Sequence, residues 1–89
     1  MTQSSVAVVN EFRLHLRAAA RMVVIANRYG CKVALSANGT TVDGKSLLGI
    51  TSLLARKGAV VTIAADGDNE KDAVAELSAL IQAGFEPKS

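Results

Sequence analysis

Apolar and polar positions partly alternate over "SVAVVNEF" (residues 5–12), a short valine-rich run that predicts a strand with Phe12 near its end. From Leu16 to Tyr29 the pattern changes to a helical one. Alanines are dense, no Gly or Pro interrupts, and Gly30 follows as a stop expected in the left-handed conformation. "CKVALSA" (31–37) and "TTVD" (40–43) read as two antiparallel strands, because Asn38-Gly39 between them accepts positive φ at both central positions of a type I′ turn. Ser46 is placed to cap a short helix, "LLGITSLLARK", which Gly58 stops. "AVVTIAAD" is the fourth strand. Asp66-Gly67 turns the chain, Asp68 or Asn69 caps, and the last helix carries the stripe Ala73, Leu77, Leu80 and Ile81 before ending at Gly84.

The order β-α-β-β-α-β-α predicts an α+β domain, with three helices on one face of a four-stranded, mainly antiparallel sheet. A strand, a helix and a strand in sequence usually leave room for another strand between the two, so a split arrangement is expected. At 100° per residue, Ile50, Leu53 and Leu54 share the core side of the second helix, whereas Leu48 points nearly opposite, flanked by Leu47 and Thr51. On the first helix Arg17, Arg21 and Arg28 form one stripe, with Val24 inside it. Exposed apolar residues on two helices point to an interface.

Composition narrows the function. With 89 residues, 49% of them hydrophobic and 20% charged, the chain is the size of one folded domain, residues 1–89, too small to enclose a deep substrate cavity. A net charge of +2, 3% aromatic residues and no Lys/Arg run disfavour nucleic acid. The single cysteine, Cys31, excludes an internal disulfide and suits a reducing, cytoplasmic setting. No apolar run approaches the roughly 20 residues of a membrane span, and the start lacks a signal-peptide pattern. One His and one Cys do not make a metal site, so neither a metal nor a cofactor is expected. "DGKS" (43–46) reads as a partial phosphate-loop pattern in the wrong strand and helix context.

His15, the only histidine, lies at the start of the first helix, where the free N–H groups of the first turn favour an anion. Neutral imidazole is a good nucleophile, and a phosphoryl group on it would meet those N–H groups and the Arg17 guanidinium. Two readings stay open locally: a phosphoryl acceptor, or a capping or surface histidine with no chemistry.

The stretches "LHLRAAARMVVIANRYGCKVAL" and "NGTTVDGKSLLGITSLLARKGAVVTIAADGDNEKDAVAEL" resemble the HPr family, the histidine-containing phosphocarriers of the bacterial phosphotransferase system, over residues 6 to 85. Leu14, His15, Arg17 and Ala19 match the family pattern G-[LIM]-H-A-R-P-A. Lys45, Ser46, Leu47, Leu48 and Gly49 match its second signature, K-S-[IL]-[LM]-G. Arg13, Leu16 and Ala18 depart from the family's glycine, alanine and proline. The resemblance implies an open-faced sandwich and a monomeric carrier that is not itself an enzyme. His15 would accept a phosphoryl group from enzyme I, Arg17 would stabilise it, and an enzyme IIA histidine would receive it, in sugar uptake or in a nitrogen-linked regulatory branch. Ala20, Val24, Leu47 and Leu48 would form the docking patch, with Leu16 and Thr51 at its border. In many relatives a dedicated serine kinase phosphorylates the residue matching Ser46; a plain helix cap accounts for that serine equally. A module of this fold that docks partners without transferring phosphate is the alternative reading.

Overall fold

Seven elements follow one another: β1 (Thr2–Ala7), α1 (His15–Asn27), β2 (Lys32–Ala37), β3 (Thr40–Asp43), α2 (Leu47–Leu53), β4 (Val60–Asp66) and α3 (Glu70–Gln82). The computed structural model describes residues 1–8, 15–53 and 59–84, with His15 described by its backbone. All strand pairs are antiparallel, in the order β1-β4-β2-β3, so β4 lies between β1 and β2 as the split arrangement requires.

The pleat separates the two faces of this sheet. Val6, Val33, Leu35, Ala37, Val61, Ile63 and Ala65 point one way and are buried. On the central strands Leu35 stands directly opposite Ile63, both 1% exposed or less. Burying such a side chain contributes about 1.5–3 kcal/mol, which makes this pair the middle of the core. The other face carries Ser5, Thr62, Ser36 and Thr41 in one cross-strand row, and Ser5 and Thr62 share a 3.0 Å hydrogen bond. Helices cover the apolar face. α3 lies over β1 and β4 with Ala73, Val74, Leu77 and Ile81 buried, while α2 lies over β3 and β2, and α1 packs against both other helices. The buried residues of α1 are mostly small (Ala18, Ala19 and Ala26, with Met22), which suits its packing against the neighbouring helices.

The first strand differs from its sequence expectation. It runs from Thr2 to Ala7 rather than over 5–12; residues 9–12, Phe12 among them, lie outside the described residues. The physical reason is that β1 is an edge strand whose core side is partly polar. Thr2, Ser4 and Val6 pair with Ala65, Ile63 and Val61, so the strong β4 template fixes a register that hydrophobicity alone could not reveal. Thr2 satisfies its hydroxyl by donating to the Glu70 carboxylate.

Two helix-end expectations also need correction. α1 covers His15–Asn27 rather than 16–29, and Gly30 is not left-handed. The last turn tightens instead, with the N–H of Arg28 donating to the Ile25 carbonyl at 3.1 Å and that of Tyr29 to Ala26 at 3.3 Å. At the start of α3, Asn69 takes the cap position with φ 58°, but its side chain makes no cap hydrogen bond. Glu70 instead braces the turn before the helix, its carboxylate accepting the Gly67 N–H at 3.3 Å and the terminal amino group of Met1 at 3.1 Å. With Thr2 as the largest contributor, followed by the Gly67 N–H and the amino group, these donors lower the Glu70 carboxyl to about 2.

The hairpin turn is as the sequence predicts, Asn38 and Gly39 having φ of 53° and 80°. Gly44 is fixed by a close approach. Its N–H donates to the Val33 carbonyl at 2.8 Å, and a Cβ there would stand 2.5 Å from the Val33 side chain. α3 ends at Gly84, φ 72°, as expected.

Candidate functional site

His15 is the first residue of α1, at the end of the helix where the backbone N–H groups lack intrahelical partners. Its side chain lies outside the description, and so does Arg13. Arg17 is exposed and lines a groove on the α3 side of α1. It shares the first turn of α1 with His15.

α1, which begins at His15, and α2 both carry exposed apolar residues. On α1, Leu16 (61% exposed) and Val24 (57%) project outward with Ala20 exposed between them in sequence. On α2, Leu48 is 81% exposed and Leu47 38%, whereas Ile50 is buried and Leu53 packs against the core. This matches the expected facing of α2; Leu54 and Gly58 lie outside the described residues. Thr51 is half-buried, its hydroxyl donating to the Leu48 carbonyl at 3.0 Å. α1 and α2 pack against each other, so these exposed residues belong to adjoining helices.

Ser46 caps α2. Its Oγ accepts the Gly49 N–H at 3.0 Å and its carbonyl accepts the Ile50 N–H at 3.0 Å. Asp43 leads into the cap, its carboxylate accepting the Lys45 N–H at 2.9 Å and its carbonyl the Ser46 N–H at 3.1 Å. Lys45 donates from Nζ to the Tyr29 carbonyl at 2.8 Å, which ties the start of α2 to the end of α1. That link was not readable in advance, because it depends on a backbone carbonyl left over at the helix end.

The phosphate-loop pattern is more complete than "DGKS" suggests: Gly39, Gly44, Lys45 and Ser46 fulfil the whole G-x-x-x-x-G-K-S spacing. The geometry rules out its chemistry. Thr40–Asp43, which would have to curl around a phosphate, is the extended strand β3 paired with β2, and the lysine is held by Tyr29.

At the C-terminal end of α1, Glu76 of α3 accepts from both Arg28 (2.9 Å) and the Tyr29 hydroxyl. The bond to Glu76 raises the Tyr29 pKa. Cys31 is buried and free. Among the described residues no helix is long and apolar enough to cross a membrane.

The family pattern described as "PTS HPr component phosphorylation site" matches residues 2–83. The phosphocarrier protein HPr of Cupriavidus necator is 38% identical over 85 residues, covering 96% of each chain. Among solved structures, HPr of Thermoanaerobacter tengcongensis superimposes with a TM-score of 0.89 at 31% identity over the full length of both chains. A dimer of HPr from the same organism gives 0.76 at 32% identity, covering 98% of this chain and 100% of the other. A matching pattern over nearly the whole chain, a relative at this identity and the shared fold together establish that the chain belongs to the HPr family of phosphocarrier proteins of the phosphotransferase system.

Proposed function

We propose that the chain, residues 1–89 acting as a single domain, carries phosphoryl groups through His15. Enzyme I, charged by phosphoenolpyruvate, presents a phosphohistidine; as its N–P bond breaks, a new N–P bond forms to the His15 ring. A proton passes from the His15 ring to the departing imidazole, so charge and atoms balance. The same exchange, run onto a histidine of an enzyme IIA domain, discharges the carrier. Because the chain takes part as acceptor in one exchange and, as the phosphohistidine, as donor in the next, it is a carrier rather than an enzyme.

The observation that carries this reading is the coincidence of His15 at the head of α1 with the exposed apolar residues Ala20, Val24, Leu47 and Leu48 on the adjoining α1 and α2 surface. A nucleophile visited by two large partners needs accessibility and a shallow docking face, not an enclosed pocket. Leu16 and Thr51 border that face, and Arg17 supplies positive charge to the transferred group. Ser46 stands at its edge, where a serine kinase would place a phosphate beside Leu47 and Leu48. We place the carrier in the cytoplasm as a monomer, in sugar uptake or in the nitrogen-linked branch.

Incubation with enzyme I and labelled phosphoenolpyruvate tests the reading. Acid-labile label on the chain, lost on replacing His15, is the expected result. Tight enzyme I binding with no label would instead support the docking module without transfer, a reading favoured by one observation, the bulky exposed Leu16 beside the acceptor.

A further inference from the structure

α2 is too short to hold itself in place. Its seven residues fall well below the roughly 12–15 at which an isolated helix becomes even marginally stable, and of its side chains only Ile50 is buried, with Leu53 packed against the core. Its entry is correspondingly well fastened. In the connector from β3 the Gly44 N–H donates to the Val33 carbonyl (2.8 Å), the Lys45 N–H to the Asp43 carboxylate (2.9 Å) and the Ser46 N–H to the Asp43 carbonyl (3.1 Å). Gly49 lies so close to β3 that a Cβ there would stand 3.2 Å from that of Val42. These contacts tie α2 to the sheet, and one further tie reaches α1. The half-buried Lys45 donates from Nζ to the Tyr29 carbonyl at 2.8 Å. That carbonyl lies just past the negative end of the α1 dipole, where a cation is favoured; α1 has no basic residue in its last turn, and Arg28, the next cation in sequence, is turned to Glu76. Lys45 supplies the missing charge. Tyr29 is held in turn by its hydroxyl to Glu76, so a continuous clasp runs from α3 through the end of α1 to the start of α2.

We infer that Lys45 and Asp43 are positioning residues for docking: together they fix α2, and with it Leu47 and Leu48, against α1 in the arrangement that an incoming partner recognises. The inference rests on the docking face of the proposed function. It adds that the lysine before Ser46 has a task of its own, carried out within the chain, since its ammonium is engaged by a backbone carbonyl and the Asp43 carboxylate by the Lys45 N–H. Both act through geometry. Without the clasp α2 would have to be ordered at each encounter, and ordering on binding lowers affinity. His15 stands at the other end of α1, about 18 Å along the helix axis from Asn27, so the effect falls on docking and leaves the transfer step alone.

The test combines calorimetric binding of enzyme I with steady-state phosphorylation of the chain, both read well below the melting temperature of every variant so that a loss of folded chain does not imitate a loss of affinity. Lys45→Met, of similar length but without a donor, and Asp43→Ala each raise Kd and KM roughly three- to tenfold with kcat unchanged. The two substitutions remove charges of opposite sign. A direct electrostatic contact with the partner would therefore move the constants in opposite directions, and that outcome overturns the proposal. Lys45→Arg and Asp43→Asn, which keep a donor and an acceptor in place, recover most of the loss; failure of both to do so overturns the hydrogen bonds as its cause. A rise that appears only close to melting reflects stability alone and overturns the positioning role, as does a fall in kcat at constant KM. Constants indifferent to both substitutions overturn the clasp and leave phosphoryl transfer standing. Affinities that follow the expected pattern while the parent takes up no label support the clasp and overturn phosphoryl transfer instead. Enzyme I that neither binds nor phosphorylates the parent overturns both.

Discussion

Leu48→Asp separates folding from docking more cleanly than any other single change. Leu48 is 81% exposed in the second position of α2, so about a fifth of its surface is buried in the free protein. Full burial of a leucine contributes about 1.5–3 kcal/mol, so the truncated contacts cost roughly 0.3–0.6 kcal/mol. A carboxylate in the first turn of a helix recovers about 0.3–1 kcal/mol, and the two effects nearly cancel. In a complex the balance is different. The leucine would lose its remaining exposed surface to enzyme I, and the aspartate would have to be desolvated in its place, weakening binding by roughly 1–3 kcal/mol, or about 5- to 150-fold in Kd. Thermal melting and titration calorimetry with enzyme I read the two quantities separately. A melting temperature unchanged within a few degrees beside a weakened Kd is expected. Unaltered affinity would remove Leu48 from the interface, and a large fall in melting temperature would show that the side chain supports the fold.

Other outcomes test other parts of the reasoning. His15→Ala abolishes acid-labile phosphorylation by enzyme I while keeping the circular dichroism of the parent; a variant that still takes up label would place the acceptor elsewhere. Ser46→Ala removes the hydroxyl that accepts the Gly49 N–H and costs about 0.5–2 kcal/mol in urea denaturation. Ser46→Asp keeps an acceptor at the cap, so it retains stability but slows His15 phosphorylation at low salt by placing charge beside Leu47 and Leu48; equal rates for Ser46→Asp and the parent leave the serine a cap only. For Glu70 the folded carboxyl is lowered to about 2 from 4.5, so its stabilising effect is full above the ordinary carboxylate range and disappears as pH falls from there towards 2. Melting temperatures of Glu70→Gln and the parent, measured across that interval, therefore converge as the solution becomes more acidic, and curves that stay parallel contradict the assignment.

The fold was legible wherever one strong local signal agreed with burial. Asn38-Gly39 has few conformational alternatives, and the strand patterns of β2 and β4 locate the core without reference to other segments. The stripe of α3 was legible too, although Val74, which is also buried, was absent from it because it sits at the edge of the 100° pattern. β1 was misplaced because its register is imposed by β4: a strand reading Thr-Gln-Ser-Ser has no hydrophobic period of its own. Caps divided in the same way. Ser46 bonds to a backbone N–H three residues on, a local geometry that the sequence announces, while the start of α3 depends on Thr2, 68 positions from Glu70. For the site, the exposure of Leu48 followed from helical periodicity alone. The groove walled by Arg17, Arg21 and Arg28 required knowing that α3 brings Leu80 beside α1, which no single-helix pattern contains.

The three departures from the family pattern are physically unequal, and this bears on partner choice. Arg13 lies outside the described residues. Ala18 is 7% exposed, so the change from proline there concerns the backbone and core side of α1 and offers almost nothing to a partner. Leu16 is 61% exposed and follows the acceptor directly, in place of the family's alanine. Its extra apolar surface can be buried only by a complex, where it contributes up to about 1–2 kcal/mol if the partner has a matching recess. If the partner is shaped for alanine, the larger side chain costs a comparable amount through overpacking. On the proposed function, Leu16 is thus the residue expected to discriminate between enzyme I proteins or enzyme IIA domains that would otherwise recognise the same helices. Leu16→Ala should weaken transfer with the carrier's own enzyme I and improve it with an enzyme I whose natural carrier has alanine there, each by roughly fivefold or more in kcat/KM. If both enzymes respond in the same direction, the leucine alters the carrier itself and not the choice of partner.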